Sequence, residues 1–349
     1  MLKRQLLCMA AFLIGVSIKA QTGETYAEKL GFPPDTKVVI FHVDDAGMSY
    51  ESNEGTIRSI EEGVATSCSV MMPCPWSASF ARYAAKEPMD AGIHLTLTSE
   101  WKDYRWHPVA GKSQVPTLVD EEGALWPSVE EVVKNARPEE VELEIRAQIE
   151  RAKSMGMHPT HLDSHMGTLF YYEPFLERYI KVGVEYGIPV MFPGGNNKLL
   201  SLSMNENLVK RLKKEGKYND GVELPKNELL VKAPQVGKKI WDAGLPVLDD
   251  LHTISGSWKP DGNPSDEEWG KYKVEQFKEI LDAMEPGLAM IIVHSNGDNR
   301  TFDRISASGG SRYADMLAMI DPDLQQYIER EGILLTTWRE VMQRRGAVK

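Results

Sequence analysis

The sequence predicts an α/β protein in which mostly parallel strands form a sheet and helices cover its outside. Two observations carry this prediction. Runs of β-type residues alternate with helical segments along most of the 349 residues, which is the pattern of a parallel sheet with helical crossovers. Several of these runs end in acidic or imidazole side chains, as strands do at the mouth of a β/α enzyme. About seven or eight such units are enough to close a barrel. An open doubly wound sheet is the alternative, although no Gly-x-Gly-x-x-Gly follows the first strand.

The individual elements follow from hydrophobic spacing. Strands are predicted at residues 37–43, 65–72, 91–97, 158–164, 188–192, 246–254, 288–294 and 333–337. Helices are predicted at 53–62, 77–86, 138–155, 173–186, 265–284 and 315–331, and at the C-terminus. The helix at 138–155 is clear because Val141, Ile145 and Ile149 recur at helical spacing between charges. We expect a long loop at 101–128 and, within a single domain of residues 21–349, an inserted excursion of one or two helices at about 196–245.

The net charge and the N-terminal segment indicate which ligands the protein can bind and where it is located. The formal net charge of -11 argues against a nucleic-acid or anionic-membrane surface and favours a neutral or cationic ligand. Residues 1–20 read as a signal peptide, with Lys3 and Arg4 before an apolar run at 6–16 and a cleavage site before Gln21. That run is too short to span a bilayer comfortably. We therefore expect a periplasmic or extracellular protein with no membrane span in the mature chain, and a homodimer is left open.

Two cysteines would remain after removal of the signal peptide. Cys68 and Cys74 lie close together in a largely apolar segment. Free cysteines are common in protein cores, and an oxidising compartment would allow the two to pair. We predict a structural role for both, with a disulfide as the alternative.

Two adjacent carboxylates, Asp44 and Asp45, follow the first predicted strand. Like charges at the end of an apolar strand raise the pKa of one carboxyl unless a cation lies nearby. A divalent metal ion would resolve the repulsion, with one acid as its ligand and the other as a nearby base. The alternative is that one carboxylate caps the next segment and the other is solvated.

Histidines end two further strands. His94 lies in the strand at 91–97, and His161, Asp163 and His165 alternate along residues 160–165, so that they would share one face. A His-Asp-His stripe is costly to bury without partners, but it suits a metal site in which an imidazole binds the ion and the acid orients a ligand. His42 shares the face of Asp44 and is predicted to support it. A solvent-facing stripe is the alternative.

The last very apolar run, at 289–293, ends in His294 and a Ser-Asn-Gly-Asp turn. A histidine at the end of such a strand is well placed to donate a proton. The alternative is a hydrogen-bonded histidine with no catalytic role.

These segments resemble a known family. Residues 43–47, 92–97 and 160–165 are similar to the three signature segments of the YdjC-like carbohydrate deacetylases, the chitooligosaccharide deacetylase group. The resemblance covers roughly residues 38–170, and more loosely the strand that bears His294. It implies a distorted (β/α) barrel, TIM-barrel-like and related to the polysaccharide deacetylases. It also implies a hydrolase that removes N-acetyl groups from a small carbohydrate.

Carried onto this chain, the resemblance implies one divalent metal ion, Mg²⁺ or Zn²⁺, bound by Asp45, His94 and His165. Asp44 would be the general base, and His294 would be the proton donor or a substrate contact. We expect Asp163 and His161 to orient the ligands. In the long loop after the His94 strand, the residues predicted to contact sugar rings are Trp101, Tyr104, Arg105 and Trp106. The alternative is that these side chains form the core of the loop itself.

The chain departs from the family pattern in ways that leave its substrate open. Ala46 stands where the family usually has Phe, and Met166-Gly167 replaces further histidines. A hydrolase of another acyl or amide substrate is therefore an alternative. Two histidines and a carboxylate also form the triad of non-haem iron oxygenases, but the helix-rich alternation argues against that fold. A catalytically degenerate glycan-binding protein would be expected to lack the base or a ligand, and none is missing here.

Overall fold

The computed structural model describes residues 24–87, 89–219, 222–297 and 301–348. The predicted signal peptide at residues 1–20 lies outside these ranges. Within them, we find no helix with the length and apolar character needed to cross a membrane. Cys68 and Cys74 are buried free thiols and not a disulfide, and burial raises the pKa of each well above its ordinary value.

The described residues alternate between strands and helices, as predicted. The strands are β1 (Lys37–Ala46), β2 (Ser67–Val70), β3 (Ala91–Leu95), β4 (Leu162–Ser164), β5 (Asp250–His252), β6 (Gly287–His294) and β7 (Leu334–Leu335). The helices are α1 (Tyr26–Lys29), α2 (Tyr50–Glu61), α3 (Ser77–Ala84), α4 (Val129–Asn135), α5 (Pro138–Ser154), α6 (Glu173–Tyr186), α7 (Lys198–Met204), α8 (Glu206–Lys214), α9 (Glu228–Asp242), α10 (Asp266–Ala283), α11 (Gly309–Met319), α12 (Pro322–Arg330) and α13 (Trp338–Ala347).

The strands form a parallel sheet in the order β4-β3-β2-β1-β6-β5, and β7 pairs with the beginning of β1. The two edges of this sheet are joined through residues 189–194. Val190 forms a bridge with Leu162 of β4, and Pro193 forms one with Leu248, just before β5. The distorted (β/α) barrel is thereby confirmed. In place of the predicted strand at 188–192, the structure has an isolated bridge at Val190.

Alternation along β1 separates the barrel interior from the helical layer. Val39 and Phe41 pack outward in the main core, where the Phe41 ring lies 5.9 Å from that of Phe277 on α10. Val38 and Ile40 face inward in a second apolar cluster that includes Trp338, at the start of α13. Because side chains alternate along a strand, His42 and Asp44 continue the inward row above these apolar residues. The lower barrel is therefore apolar, and polar groups lie above it.

The excursion contains three helices in its described part, α7, α8 and α9, where one or two were predicted. Its first helix is fixed to the barrel by a buried carboxylate. Asp250 of β5 accepts hydrogen bonds from the backbone N–H groups of Leu199 (2.7 Å) and Leu200 (3.1 Å). Burial raises the pKa of Asp250 to about 6. Nothing comparable holds α8, which buries none of its residues.

Candidate metal centre

Three buried donor atoms converge at the carboxyl ends of neighbouring strands. Asp45 Oδ1 lies 3.3 Å from His94 Nε2 and 3.3 Å from His165 Nδ1. Ligand atoms bound at about 2.1 Å to one ion are about 3 Å apart, so this spacing fits a divalent cation. Asp45 Oδ1 also lacks a hydrogen-bond partner among the described residues, an arrangement that is costly for a buried carboxylate oxygen. These side chains therefore suit a metal ion that takes oxygen and nitrogen ligands.

A left-handed backbone brings both aspartates to this site. Adjacent residues of a regular strand face opposite sides, yet Asp44 and Asp45 both line the same cavity. Asp45 has a φ of 66°, a conformation that Asp adopts more readily than most residues. The pairing of β1 with β2 shifts register between Val43 and Ala46. This irregular turn lets neighbouring carboxylates act at one place.

Asp163 lies beneath the three donors and is contacted by several imidazoles. His94 Nδ1 donates to Asp163 Oδ1 at 2.7 Å, while His42 Nε2 lies 2.9 Å from Asp163 Oδ2. The first contact leaves His94 Nε2 directed at the ion position, which is how a carboxylate orients a metal-binding histidine. Burial alone would lower the pKa of His94, but Asp44 and Asp163 raise it well above its ordinary value. A metal ion would therefore compete with a proton at His94.

The predicted His-Asp-His stripe divides between two levels. β4 ends at Ser164, and His165 begins a 3₁₀ segment (His165–Phe170) that carries it to the donor cluster. His161 lies lower, stacked on Trp338 with ring centroids 5.2 Å apart. A Cβ on Gly92 would come within 2.4 Å of the His161 ring, so β3 needs glycine there. Burial lowers the pKa of His161.

Two charged residues at the centre were missed by the sequence analysis. Glu100 Oε1 lies 2.9 Å from His165 Nε2, and Arg312 Nη1 lies 2.7 Å from Asp45 Oδ2. Burial alone would lower the pKa of His165, but Glu100 and Asp45 raise it to about 9. Burial alone would raise the pKa of Asp45, but Arg312 and the two imidazoles hold it well below the ordinary value. Glu100 had one available signal, since it follows the His94 strand, whereas Arg312 had none.

Asp44 and His294 lie beside the donor cluster, at the cavity wall. Asp44 Oδ2 is 3.8 Å from His94 Nε2 and 3.9 Å from His294 Nε2, and its other oxygen is 3.1 Å from His42 Nε2. The side chain of His294 is 26% exposed, and burial together with Arg312 lowers its pKa. A carboxylate and a neutral imidazole thus face one space beside the ion position.

The four loop residues predicted to contact a sugar do not all lie at the cavity. Trp101 lines the cavity. The other three are not among the residues that line it. Their polar atoms bind other groups of the protein, and a role in sugar contact stays a prediction for them. Trp106 is 2% exposed and donates from Nε1 to the carbonyl of Thr98, Tyr104 donates to the carbonyl of Met48, and Arg105 pairs with Asp120. They build the loop that supports Trp101.

Comparisons with known proteins agree with this fold. The model of the family described as YdjC-like protein matches residues 38–330. A carbohydrate deacetylase of Thermus thermophilus is 29% identical over 315 residues, covering 90% of this chain and 97% of the relative. A carbohydrate deacetylase of Thermoanaerobacter pseudethanolicus is 24% identical over 304 residues, covering 86% and 98%. A solved protein of Enterococcus faecalis, proposed to cleave cellobiose phosphate, has the same fold with a TM-score of 0.65 at 19% identity, covering 88% of this chain and 99% of that one.

Proposed function

Because the chain belongs to the YdjC-like family, we propose that it is a metal-dependent carbohydrate deacetylase that hydrolyses an N-acetyl group on an amino sugar. The observation that carries this proposal is the convergence of Asp45 Oδ1, His94 Nε2 and His165 Nδ1 beside the free face of Asp44. The carbohydrate deacetylases of Thermus thermophilus and Thermoanaerobacter pseudethanolicus align over 97% and 98% of their length. A small carbohydrate is accordingly the proposed partner.

Asp45, His94 and His165 would hold the divalent ion. When bound there, it would supply Lewis acidity that polarises an amide carbonyl and acidifies water. Two imidazoles and one carboxylate suit Zn²⁺, and Mg²⁺ is the second candidate. The protein's own contribution is orientation, since Asp163 holds the His94 ring and Glu100 holds that of His165.

Asp44 and His294 are the proposed groups for proton transfer. Asp44 Oδ2 faces the cavity, while its other oxygen is held near His42. It removes a proton from the attacking water as the oxygen bonds to the amide carbon. His294, on the neighbouring strand and 3.9 Å from Asp44 Oδ2, accepts that proton from Asp44 and gives it to the nitrogen as the C–N bond breaks. The products are acetate and a free amine.

Substitution of Asp44 tests the proposal. Asp44→Asn keeps the shape and removes the base, so acetate release from N-acetylated oligosaccharides should fall by at least about 1000-fold. Bound metal, measured by elemental analysis, should stay at the wild-type level. Asp261→Asn, on an exposed loop, is the matched control and should behave as wild type. Full activity in Asp44→Asn would remove the base assignment.

We also propose that the chain is exported. Lys3, Arg4 and the apolar run at 6–16 support this. N-terminal sequencing of the mature protein from a secreting host should find Gln21 first. An intact N-terminus on protein retained in the cytoplasm would contradict it.

A further inference from the structure

The cavity above the metal centre is larger and more apolar than an acetylated sugar requires. Its volume is about 860 Å³, near the upper end for small-molecule pockets. The acidic and imidazole side chains described above lie at one end. Between them and the rim, most of the wall is aliphatic or aromatic, as in Phe170, Leu176, Phe192, Leu200, Leu230 and Val236. Sugar hydroxyls placed against such a wall would lose hydrogen bonds to water without replacement.

The excursion provides much of this apolar wall. On α9, Leu230, Ala233 and Val236 recur at helical spacing and line the cavity, while Val231 points away and is 66% exposed. An ion pair of 3.2 Å joins Lys232 of α9 to Glu173 of α6 beside the opening. The excursion therefore turns an apolar helix face toward the reactive groups, a role that its composition did not reveal.

Apart from charged residues such as Lys232 and Glu173, part of the rim of the cavity is apolar as well. Met166, Tyr171 and Met204 line it, although they are 55%, 69% and 46% exposed. Met166 and Gly167 both have left-handed backbone, with φ of 55° and 63°, and this places Met166 at the opening directly after the metal-binding His165. Large apolar side chains exposed together around a concave site indicate an apolar ligand.

We propose that the substrate is amphipathic: an amino sugar whose amide lies at the metal centre and whose attached apolar group fills the apolar part of the cavity. We call this apolar part the chamber. This inference rests on the proposed function and deepens it by naming the substrate class. The apolar group has two possible sources, a long acyl chain on the nitrogen or an alkyl aglycone on the sugar. In either case the apolar group would contact the same apolar wall of the cavity.

Two series of substrates distinguish the two possible sources of the apolar group. One extends the acyl group of N-acylglucosamine from acetyl to dodecanoyl, and the other extends the aglycone of N-acetylglucosaminides from methyl to dodecyl, below their micellar concentrations. Free amine is measured with Zn²⁺ or Mg²⁺ added. Because a buried methylene is worth up to roughly fourfold, kcat/KM should rise at least about 100-fold along one series. Hydrolysis of the shortest members with no rise in either series would overturn the inference while leaving the deacetylase proposal intact.

If no member is hydrolysed, the deacetylase proposal fails and binding decides the inference separately. Tryptophan fluorescence titration should show tighter binding of the dodecyl than of the methyl glycoside. Equal binding of the two would overturn the amphipathic substrate.

Matched substitutions on α9 locate the effect. Val236→Phe narrows the chamber and should move the preferred chain length to shorter members of the responding series. Val231→Phe makes the same change on the exposed face and should leave the preference unchanged. If Val236→Phe fails to fold by circular dichroism, Met204→Gln at the rim should reduce the gain from the longest chains. Chain-length dependence identical to wild type in a folded lining variant would overturn the assignment of this chamber.

Discussion

The two ends of the cavity are built by different kinds of structure. At the reactive end, short side chains project from β1, β3, β4 and β6, and most polar groups contact one another, as His42 does with Asp44 and Asp163. At the far end, apolar side chains project from α7 and α9, which lie outside the barrel sheet. Strands joined by hydrogen bonds hold reacting groups precisely enough for catalysis, whereas helices outside the sheet can differ in length and position without moving those groups. Under the proposed function, chemistry and substrate choice therefore depend on separate parts of the chain.

The strongest way to break the reactive end is to remove a metal donor. His165→Ala should abolish stoichiometric metal binding and lower activity by at least about 1000-fold, because Asp45 and His94 alone make a weak site. Elemental analysis and acetate release measure the two effects. His158→Ala, at an exposed position in the same region, should retain both. Metal content equal to wild type in His165→Ala would remove it from the ligand set.

A smaller effect is expected from substitution of Glu100, which contacts His165 and is not itself a proposed metal ligand. Glu100→Gln keeps the size of the side chain but removes the charge beside His165 Nε2. Loss of such a supporting partner typically weakens metal affinity by about 10–100-fold. A metal titration measures it. Glu122→Gln, whose side chain is mostly exposed, is the control, and equal affinity in both variants would show that Glu100 does not support the ligand.

The smallest effect concerns a histidine behind the chamber wall. His252 of β5 is buried with neither ring nitrogen hydrogen-bonded, and burial lowers its pKa from 6.5 to about 3. The unfolded chain therefore binds a proton that the folded chain does not, so stability falls as pH falls from 6.5 toward 3. The loss should be about 1 kcal/mol between pH 6.5 and 5.5.

Chemical denaturation of wild type and His252→Phe at these two pH values measures the loss of stability that is due to His252. The variant should lose about that much less stability on acidification. The same pH dependence in both proteins would contradict the assignment to His252.

The sequence predicted what local pattern determines. The strands bearing Asp44, His94 and His294 were found because apolar runs ended in polar groups, and the barrel followed from their alternation with helices. Arg312 could not be found, since its contact with Asp45 depends on α11 returning to β1 across the fold. The burial of Trp106 was equally hidden, because aromatic residues in a loop look the same whether they face a ligand or the loop's own interior.

The sequence did not predict the chamber for a related reason. Leu230, Ala233 and Val236 show the spacing of an amphipathic helix, and such a face usually packs on a core. Whether it meets another element or an open space depends on tertiary placement. The excursion was therefore recognised as an insertion, but its place beside the reactive groups was not.

The way the ring closes has a further consequence. Around residues 189–194 the barrel is joined by single bridges at Val190 and Pro193 instead of ladders, with two backbone hydrogen bonds at each bridge. Local opening is easiest where such bonding is sparse, and amide hydrogens along the seam should exchange before those of β1 and β6. Met191 and Phe192 on the seam also line the cavity. We therefore expect local opening along this seam to alter the cavity wall while the strands that hold the aspartates stay paired.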